Sequence, residues 1–501
     1  MSKGLLIGID LGTTVLKVCA FDARTGALRG QAAQRPKIHA YPDGGREQNA
    51  TSVARAFRKV VQDLRHQVGE AWRDVRGIGV AAQGGSSMIA GRATGRPLAP
   101  MVLWNDGRTH AYLARIAEQV PARYWRRHVL HDAPPHGLGR LLWLRETRPE
   151  LFTEDNIHIG AGEYLFFTLT GVWRQDAGNA IQIGSYNAAK KRLDHDPFRW
   201  SGLPLSFVAP LRQGHETAPL SRRAGQSLGL PEGVPVAGPY IDQEAAYMAT
   251  AGVSAHPLQC SLGTAWVGNF VLPDDTTGWS PRQLAIPSPT GPGRLVIMPL
   301  AAGNLTWDWA LDTFLDADQH TALSRAAAVF AARLLPPEGL VAFPWFTQPN
   351  PFHSSAYGGG AFFGLSAQTT REELLRAVAA GMTYELARVF DEVKRSGAVD
   401  SAVLGGGASN GPNFRKLIAA LLDPLPVLWQ RHSDLAAARG SVFAFSKRAA
   451  RSRTQRVALP KRALVEQIRH GFERYCATLK QVYPSSPGGD GFHFNATKRR
   501  R

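Results

Sequence analysis

The tripeptide Leu-Gly-Thr occurs twice in matching settings, at Leu11–Thr13 and at Leu262–Thr264, each time after a strand-like run. The first copy sits in Asp10-Leu-Gly-Thr-Thr, between the apolar runs Leu5–Ile9 and Val15–Phe21. The second sits in Cys260-Ser-Leu-Gly-Thr-Ala, at the head of a later set of strands. Three residues can coincide by chance, but their shared position at the tip of the first strand pair points to two copies of one architecture. The length of 501 residues agrees, because single hydrophobic cores stop growing near ~250–300 residues. The expected organisation is therefore two domains, 1–252 and 253–483, followed by a Gly/Ser/Pro-rich basic tail, 484–501, expected to be disordered.

The local pattern is mixed α/β. Leu5–Ile9, Val15–Phe21 and Ala27–Gln34, with a reversal at Asp22–Gly26, read as a meander of strands. In Ala50–Leu64 the apolar residues Val53, Phe57, Val60, Val61 and Leu64 recur at helical spacing, with Asn49 or Thr51 as N-cap, and Val75–Ala81 then reads as a buried strand. Further helices are expected at Thr370–Ser396 and Pro412–Leu422.

Composition narrows the class. A 44% hydrophobic and 20% charged chain is neither disordered nor collagenous. Cys19, Cys260 and Cys476 are odd in number and far apart, which excludes a disulfide framework and a thiolate zinc site and predicts a reducing, cytoplasmic setting. No apolar stretch approaches the ~18 residues of a membrane span, so no membrane partner is expected. The net charge of +18 raises nucleic acid as a partner. However, residues 447–501 carry fourteen Lys and Arg against Glu466, Glu473 and Asp490, with few interleaved aromatics. The excess lies outside the motif-bearing body, and the reading is no nucleic acid: a solvated basic face and tail.

Three segments bear chemistry. Asp10-Leu-Gly-Thr-Thr, with Lys17 beyond, ends a strand on a carboxylate and turns at Gly12; the carboxylate suits Mg²⁺, and the turn offers donors to phosphate. The same residues would equally serve an ordinary hairpin. Val403-Leu-Gly-Gly-Gly-Ala-Ser-Asn410 joins a strand to a helix and lets a flat group lie against backbone, although a glycine run is also a common tight connection. Val234–Asp242 is a strand and loop ending in a carboxylate before a helix, where Asp242 suits an N-cap or a general base.

Together these segments resemble the FGGY carbohydrate kinases, the sugar-kinase branch of the actin-like ATPases. Val102-Leu-Trp-Asn-Asp-Gly-Arg-Thr109, Gly137–Glu150 and Gly360–Leu365 with the helix from Thr370 are similar to further motifs of that family, in order, to about residue 483. The resemblance implies two ribonuclease-H-like domains with a cleft between them, and ATP-dependent phosphorylation of a sugar or polyol hydroxyl. It implies Asp242 as catalytic base and Asp10 as the carboxylate for Mg²⁺. It further assigns Gly12, Thr13, Thr14 and Lys17 to one phosphate loop, Gly263 and Thr264 to a second, and Asn304, Gly406, Gly407, Ala408 and Asn410 to the nucleotide. Phosphoryl transfer asks for little else, being mostly positioning and charge neutralisation.

The acceptor pocket departs from the pattern. Ala82-Gln83-Gly84-Gly85-Ser86 lacks the histidine that xylulose kinases place there and the Arg-Glu pair of glycerol kinases, while Gln243 follows Asp242 as in glycerol kinases. The AQGG segment, Gln182–Asn187 and Gly303–Trp307 look most like the branch of L-xylulose and erythritol kinases. Arg140 replaces a lysine, and Ala380 an acidic residue. The expected acceptor-reading residues are Gln83, Gly84, His136, Asp242 and Gln243, in a pocket made roomier by Gly84 and Gly85, unless these glycines serve only a tight turn. A ketopentose or a tetritol or pentitol is the favoured acceptor. A glycerol kinase, a catalytically idle sugar or nucleotide sensor, and a nucleic-acid binder are the alternatives. A homodimer is compatible with the class.

Overall fold

The computed structural model of the protein describes residues 4–276, 283–315, 319–347 and 359–484. The expected disordered tail, apart from Pro484, lies outside the described residues. The chain forms two compact units. The first comprises Met1–Val253, Leu284–Val296 and Leu435–Ser452; the second comprises Ser254–Gln283, Ile297–Asp434 and Arg453–Arg501. The division is thus not one cut near residue 252, because two later segments return to the first unit.

In the first unit six strands, β1 (Leu5–Leu11), β2 (Leu16–Asp22), β3 (Leu28–Gln34), β4 (Val75–Ala82), β5 (Ala218–Pro219) and β6 (Pro235–Ile241), lie in the order β5-β6-β4-β1-β2-β3. β1 runs antiparallel to β2 and parallel to β4, and β4 runs parallel to β6. The parallel strands are apolar on both faces, as strands covered from two sides must be. One cover is the helix Ala50–Val68, whose Val53, Phe57, Val60, Val61 and Leu64 join Ile7, Ile9, Val18 and Ile78 in the core. Asn49 starts that helix by accepting the Ser52 N–H at 2.9 Å.

The other cover is the helix Ala436–Ser441. A β-carbon on Gly8 of β1 would overlap the Ala438 carbonyl, and one on Gly79 of β4 the Ser441 carbonyl. The two glycines let helix backbone rest directly on the sheet, which ties residues 435–452 to the first unit.

The second unit repeats the plan. β7 (Pro257–Leu262), β8 (Trp266–Leu272), β9 (Ser401–Gly405), β10 (Val427–Gln430) and β11 (Thr454–Arg456) lie in the order β8-β7-β9-β10-β11. The successive pairings are antiparallel, parallel, parallel and antiparallel. The series β2-β1-β4-β6-β5 shows the same senses. Each Leu-Gly-Thr occupies the turn that follows the first strand of its sheet. The helix Arg371–Arg395 opens with a capping box between Thr370 and Glu373, and Pro412–Leu422 opens with proline in its first turn. Ala380 packs with Phe343, Tyr384, Leu417, Ile468 and Tyr475, so an acidic side chain there would need a buried partner. All three cysteines are free. No described helix is long and apolar enough to cross a membrane.

Candidate active site

Two carboxylates converge in the first unit. Asp10 lies near the end of β1, opposite Ala81 of β4, and β6 ends at Ile241, opposite Ala82 of the same strand. The helix Asp242–Met248 begins at the next residue. Both acids therefore lie at the carboxyl ends of parallel strands, where open α/β sheets bind their ligands. Burial, the negative charge of Asp242 and an opposing contribution from Lys17 leave Asp10 raised to about 7. Its Oδ1 is buried and meets no hydrogen-bond donor among the described residues. Burial likewise raises Asp242 to about 6, against the N–H groups of Gln243 and of Asp242 itself, which favour the charged form.

Asp242 is not the cap of its helix. The strand runs through Ile241, which holds the cap position, and Asp242 is the first helical residue, its Oδ1 accepting the Gln243 N–H at 2.8 Å. The exposed donors of a helix N-terminus stabilise a carboxylate there and keep its basic form accessible near neutral pH.

The first Leu-Gly-Thr turn is braced by a hydrogen-bonded chain. Gly12 N–H donates to Val15 O at 3.2 Å. Thr13 Oγ1 donates to Gln83 Oε1 at 2.7 Å and accepts from Trp104 Nε1 at 3.0 Å, while Gln48 Nε2 donates to Thr13 O at 2.8 Å. Gln83 Nε2 in turn donates to Gln48 Oε1 at 3.0 Å, and Ser86 Oγ donates to Gln83 Oε1 at 3.1 Å. Gln83 is only 2% exposed, and both ends of its amide are engaged within the protein. Gln83, expected to read acceptor hydroxyls, links the Thr13 turn to Gln48 and Ser86. Thr14 is exposed at the same turn.

The space left by the paired glycines is filled. A β-carbon on Gly84 would overlap Gln182 Nε2, and one on Gly85, whose φ is +76°, would lie 2.5 Å from Gln182 Oε1 and 3.4 Å from Arg140 Nη2. The pocket is thus not roomier at this point; the glycines admit the side chain of Gln182. Arg140 is fully buried, and its Nη1 donates to Trp104 O at 3.3 Å. His136 opens the helix His136–Thr147 and is exposed. The surrounding protein, then the positive charge of Arg140, push its imidazole down to about 3, so it is a neutral donor and acceptor.

In the second unit the three segments that the family resemblance assigns to the nucleotide meet. Asn304 N–H donates to Gly263 O at 3.0 Å, and Leu305 N–H reaches Thr264 O at 3.4 Å. Asn304 Oδ1 accepts from Trp266 Nε1 at 3.1 Å, and its Nδ2 lies 3.3 Å from where a β-carbon on Gly407 would stand. Gly406, at φ +84°, would place a β-carbon 2.5 Å from the Leu262 carbonyl carbon. Only glycine fits a left-handed backbone pressed on a neighbouring strand in this way. Ser409 Oγ donates to Gly406 O at 2.7 Å, Ala408 is nearly buried, and Gly407 and Asn410 are exposed.

The sequence-predicted residues thus divide into a group at Asp10, Gly12–Thr14, Lys17, Gln83–Gly84, His136 and Asp242–Gln243 in the first unit and a group at Gly263–Thr264, Asn304 and Gly406–Asn410 in the second. Gln48, Trp104 and Gln182 were not singled out as site residues. Trp104 and Gln182 belong to segments that resemble the family's motifs, whereas Gln48, directly before the helix cap Asn49, carries no signal of a role in the site.

The comparisons with known proteins agree with this geometry. The profile for the FGGY family of carbohydrate kinases, N-terminal domain, matches residues 5–249, and that for the C-terminal domain matches residues 258–445. The chain is 26% identical over 427 residues to a xylulose kinase of Escherichia coli, covering 83% of this chain and 84% of that one. It is 26% identical over 461 residues to a glycerol kinase of Thermus brockianus, covering 86% and 88%. The solved structure of a xylulose kinase from Rhodospirillum rubrum superposes with a TM-score of 0.82 at 21% identity, over 96% of this chain and 99% of that one, which shows the shared fold. With both halves matched in order and the fold shared end to end, the chain belongs to the FGGY family of carbohydrate kinases.

Proposed function

We propose that the protein transfers the γ-phosphoryl group of ATP to a hydroxyl of a small ketose or polyol, a ketopentose or a four- or five-carbon polyol being favoured, with Asp242 as general base. The observation that carries this reading is the Asp242 carboxylate, half-buried at a helix N-terminus, raised to about 6 and beside a second carboxylate. A base of that strength is ionised at neutral pH yet takes a proton readily as the acceptor oxygen attacks. The orphaned Oδ1 of Asp10 fits a divalent cation, which Asp10 would hold and which, when bound, neutralises phosphate charge. The turns at Gly12–Thr14 and Gly263–Thr264 supply N–H donors for the phosphates, with Lys17 near the first. Asn304, Gly406, Gly407, Ala408 and Asn410 serve the remainder of the nucleotide. Gln182, Gln243 and neutral His136 are the groups available to read acceptor hydroxyls.

Gln243 after the base favours a second reading, glycerol as acceptor, which fits the similarity to a glycerol kinase. A coupled assay of ADP release across pentuloses, tetritols, pentitols and glycerol separates the two. The enzyme is expected to work in the cytoplasm on small molecules alone.

A further inference from the structure

Behind Asp242 lie two buried acids with no assigned role. Asp176 caps the helix Ala177–Ile183, which carries Gln182, and is 4% exposed; Glu244, two residues after Asp242, is 6% exposed. Asp176 Oδ1 is taken, accepting from Asn179 N–H and from Asn179 Nδ2, each at 2.9 Å. Asn179 Nδ2 also donates at 3.1 Å to Pro239 O, in the strand that leads to Asp242. The backbone N–H of Ile241, the cap of the Asp242 helix, faces the Glu244 carboxyl and favours its charged form. What remains is Asp176 Oδ2 and Glu244 Oε2. Both are buried, and neither accepts a hydrogen bond from a nitrogen or hydroxyl among the described residues. Glu244 Oε2 lies 3.2 Å from where a β-carbon on Gly178 would stand, in the first turn of the helix that Asp176 caps, so the two carboxyl groups are neighbours and interact directly.

We propose that Asp176 and Glu244 form an acid pair joined by one shared proton, and that this pair is a positioning element that fixes the helix of the base Asp242 against the helix of Gln182. Two ionised carboxylates cannot share a dry site, whereas one proton between them makes a strong charge-assisted hydrogen bond. The resulting single negative charge is faced by Arg174, whose Nη2 donates to Glu216 O at 2.6 Å and also to Gly238 O. Tyr240 on β6 and Glu163 on the helix Ala161–Thr170 are the other titratable groups facing the pair. Arg212 acts on it through Arg174, and His215 through its 2.8 Å hydrogen bond with Tyr240. Burial raises both acids, and the negative charge of Asp176 raises Glu244 further, so the proton is kept as pH rises until the pair's elevated pKa is passed. The hold on Asp242 is then lost on the alkaline side.

This inference rests on the proposed kinase reading, and its test separates the two. In Glu244→Gln the amide can accept from Ile241 and donate to Asp176, copying the protonated acid without titrating. The expected result is a kcat within ~3-fold of the parent at neutral pH, with activity extending to more alkaline pH. Glu244→Ala is expected to lose kcat by ~10-fold or more while the KM for ATP stays within ~2-fold. Thermal unfolding reads the pair without any substrate: the Tm of Glu244→Gln should gain on the parent by at least ~2 °C between pH 6 and pH 9. A Glu244→Gln variant as impaired as Glu244→Ala, or a Tm difference that ignores pH, overturns the acid pair. A parent that phosphorylates no acceptor overturns the kinase reading instead, and the unfolding comparison still decides the pair.

Discussion

Thr13 Oγ1 donates to Gln83 Oε1 across 2.7 Å, and the same Gln83 carbonyl accepts from Ser86, whose Oγ also receives the Trp104 N–H at 3.1 Å. The turn assigned to phosphate and the wall assigned to the acceptor are therefore one hydrogen-bonded unit. Removing its central amide leaves buried partners unpaired on both sides. Gln83→Ala is expected to raise the KM for ATP and for the acceptor together, each by ~5-fold or more. Steady-state kinetics with each substrate varied in turn checks this; an effect on the acceptor alone would make Gln83 a ligand-reading residue after all.

Asp242→Asn keeps the size of the side chain and removes the base. Turnover is expected to fall at least ~10²-fold, the scale of a lost general base, with nucleotide affinity nearly unchanged. Wild-type turnover in this variant would leave Asp242 with only a local role at the start of its helix.

The raised pKa of Asp242 sets a pH dependence of definite sign. The base works when ionised, so kcat should rise with pH through about 6, up to the alkaline loss set by the Asp176–Glu244 pair. For stability the direction reverses. The folded-state value lies above the ordinary carboxylate value of 3.8, so protonation favours the fold and stability is lost as pH rises from about 4 through about 6. Asp242→Asn should accordingly be more stable than the parent at pH 7 and above, and lose that advantage near pH 4. Melting temperatures of both proteins from pH 4 to 8 test this.

Gly84 and Gln182 should behave as a coupled pair. Gly84→Ala drives a methyl group into Gln182 Nε2 and should raise the acceptor KM several-fold while sparing the KM for ATP. Adding Gln182→Ala removes the obstacle, so the double variant should suffer less than the two single effects combined. Additive losses would mean that Gln182 does not occupy that space in solution.

The contrast between what could and could not be read in the sequence follows from the range of each interaction. Strand runs, the caps Asn49 and Thr370, and the two Leu-Gly-Thr turns are written in neighbouring residues, and those elements stand where local pattern puts them. Gln83, in contrast, is 70 residues from Thr13 and 35 from Gln48, and nothing local says that its amide is engaged by both. Gly84 and Gly85 suggested open space because a missing side chain is visible in sequence, whereas Gln182, which fills it, lies on a distant helix. The return of residues 435–452 to the first unit depends on Gly8 and Gly79 admitting helix backbone, a steric fact without periodicity.

The central claim is that this chain moves a phosphoryl group from ATP to a small sugar or polyol through Asp242. The most direct test is to follow sugar-phosphate and ADP together by ³¹P resonance, for the parent and for Asp242→Asn, with a ketopentose, a tetritol and glycerol as acceptors. The account predicts equal amounts of the two products from the parent with the ketopentose or tetritol, less with glycerol, and almost none from Asp242→Asn. ADP without any sugar phosphate, or equal yields from the two proteins, would contradict it.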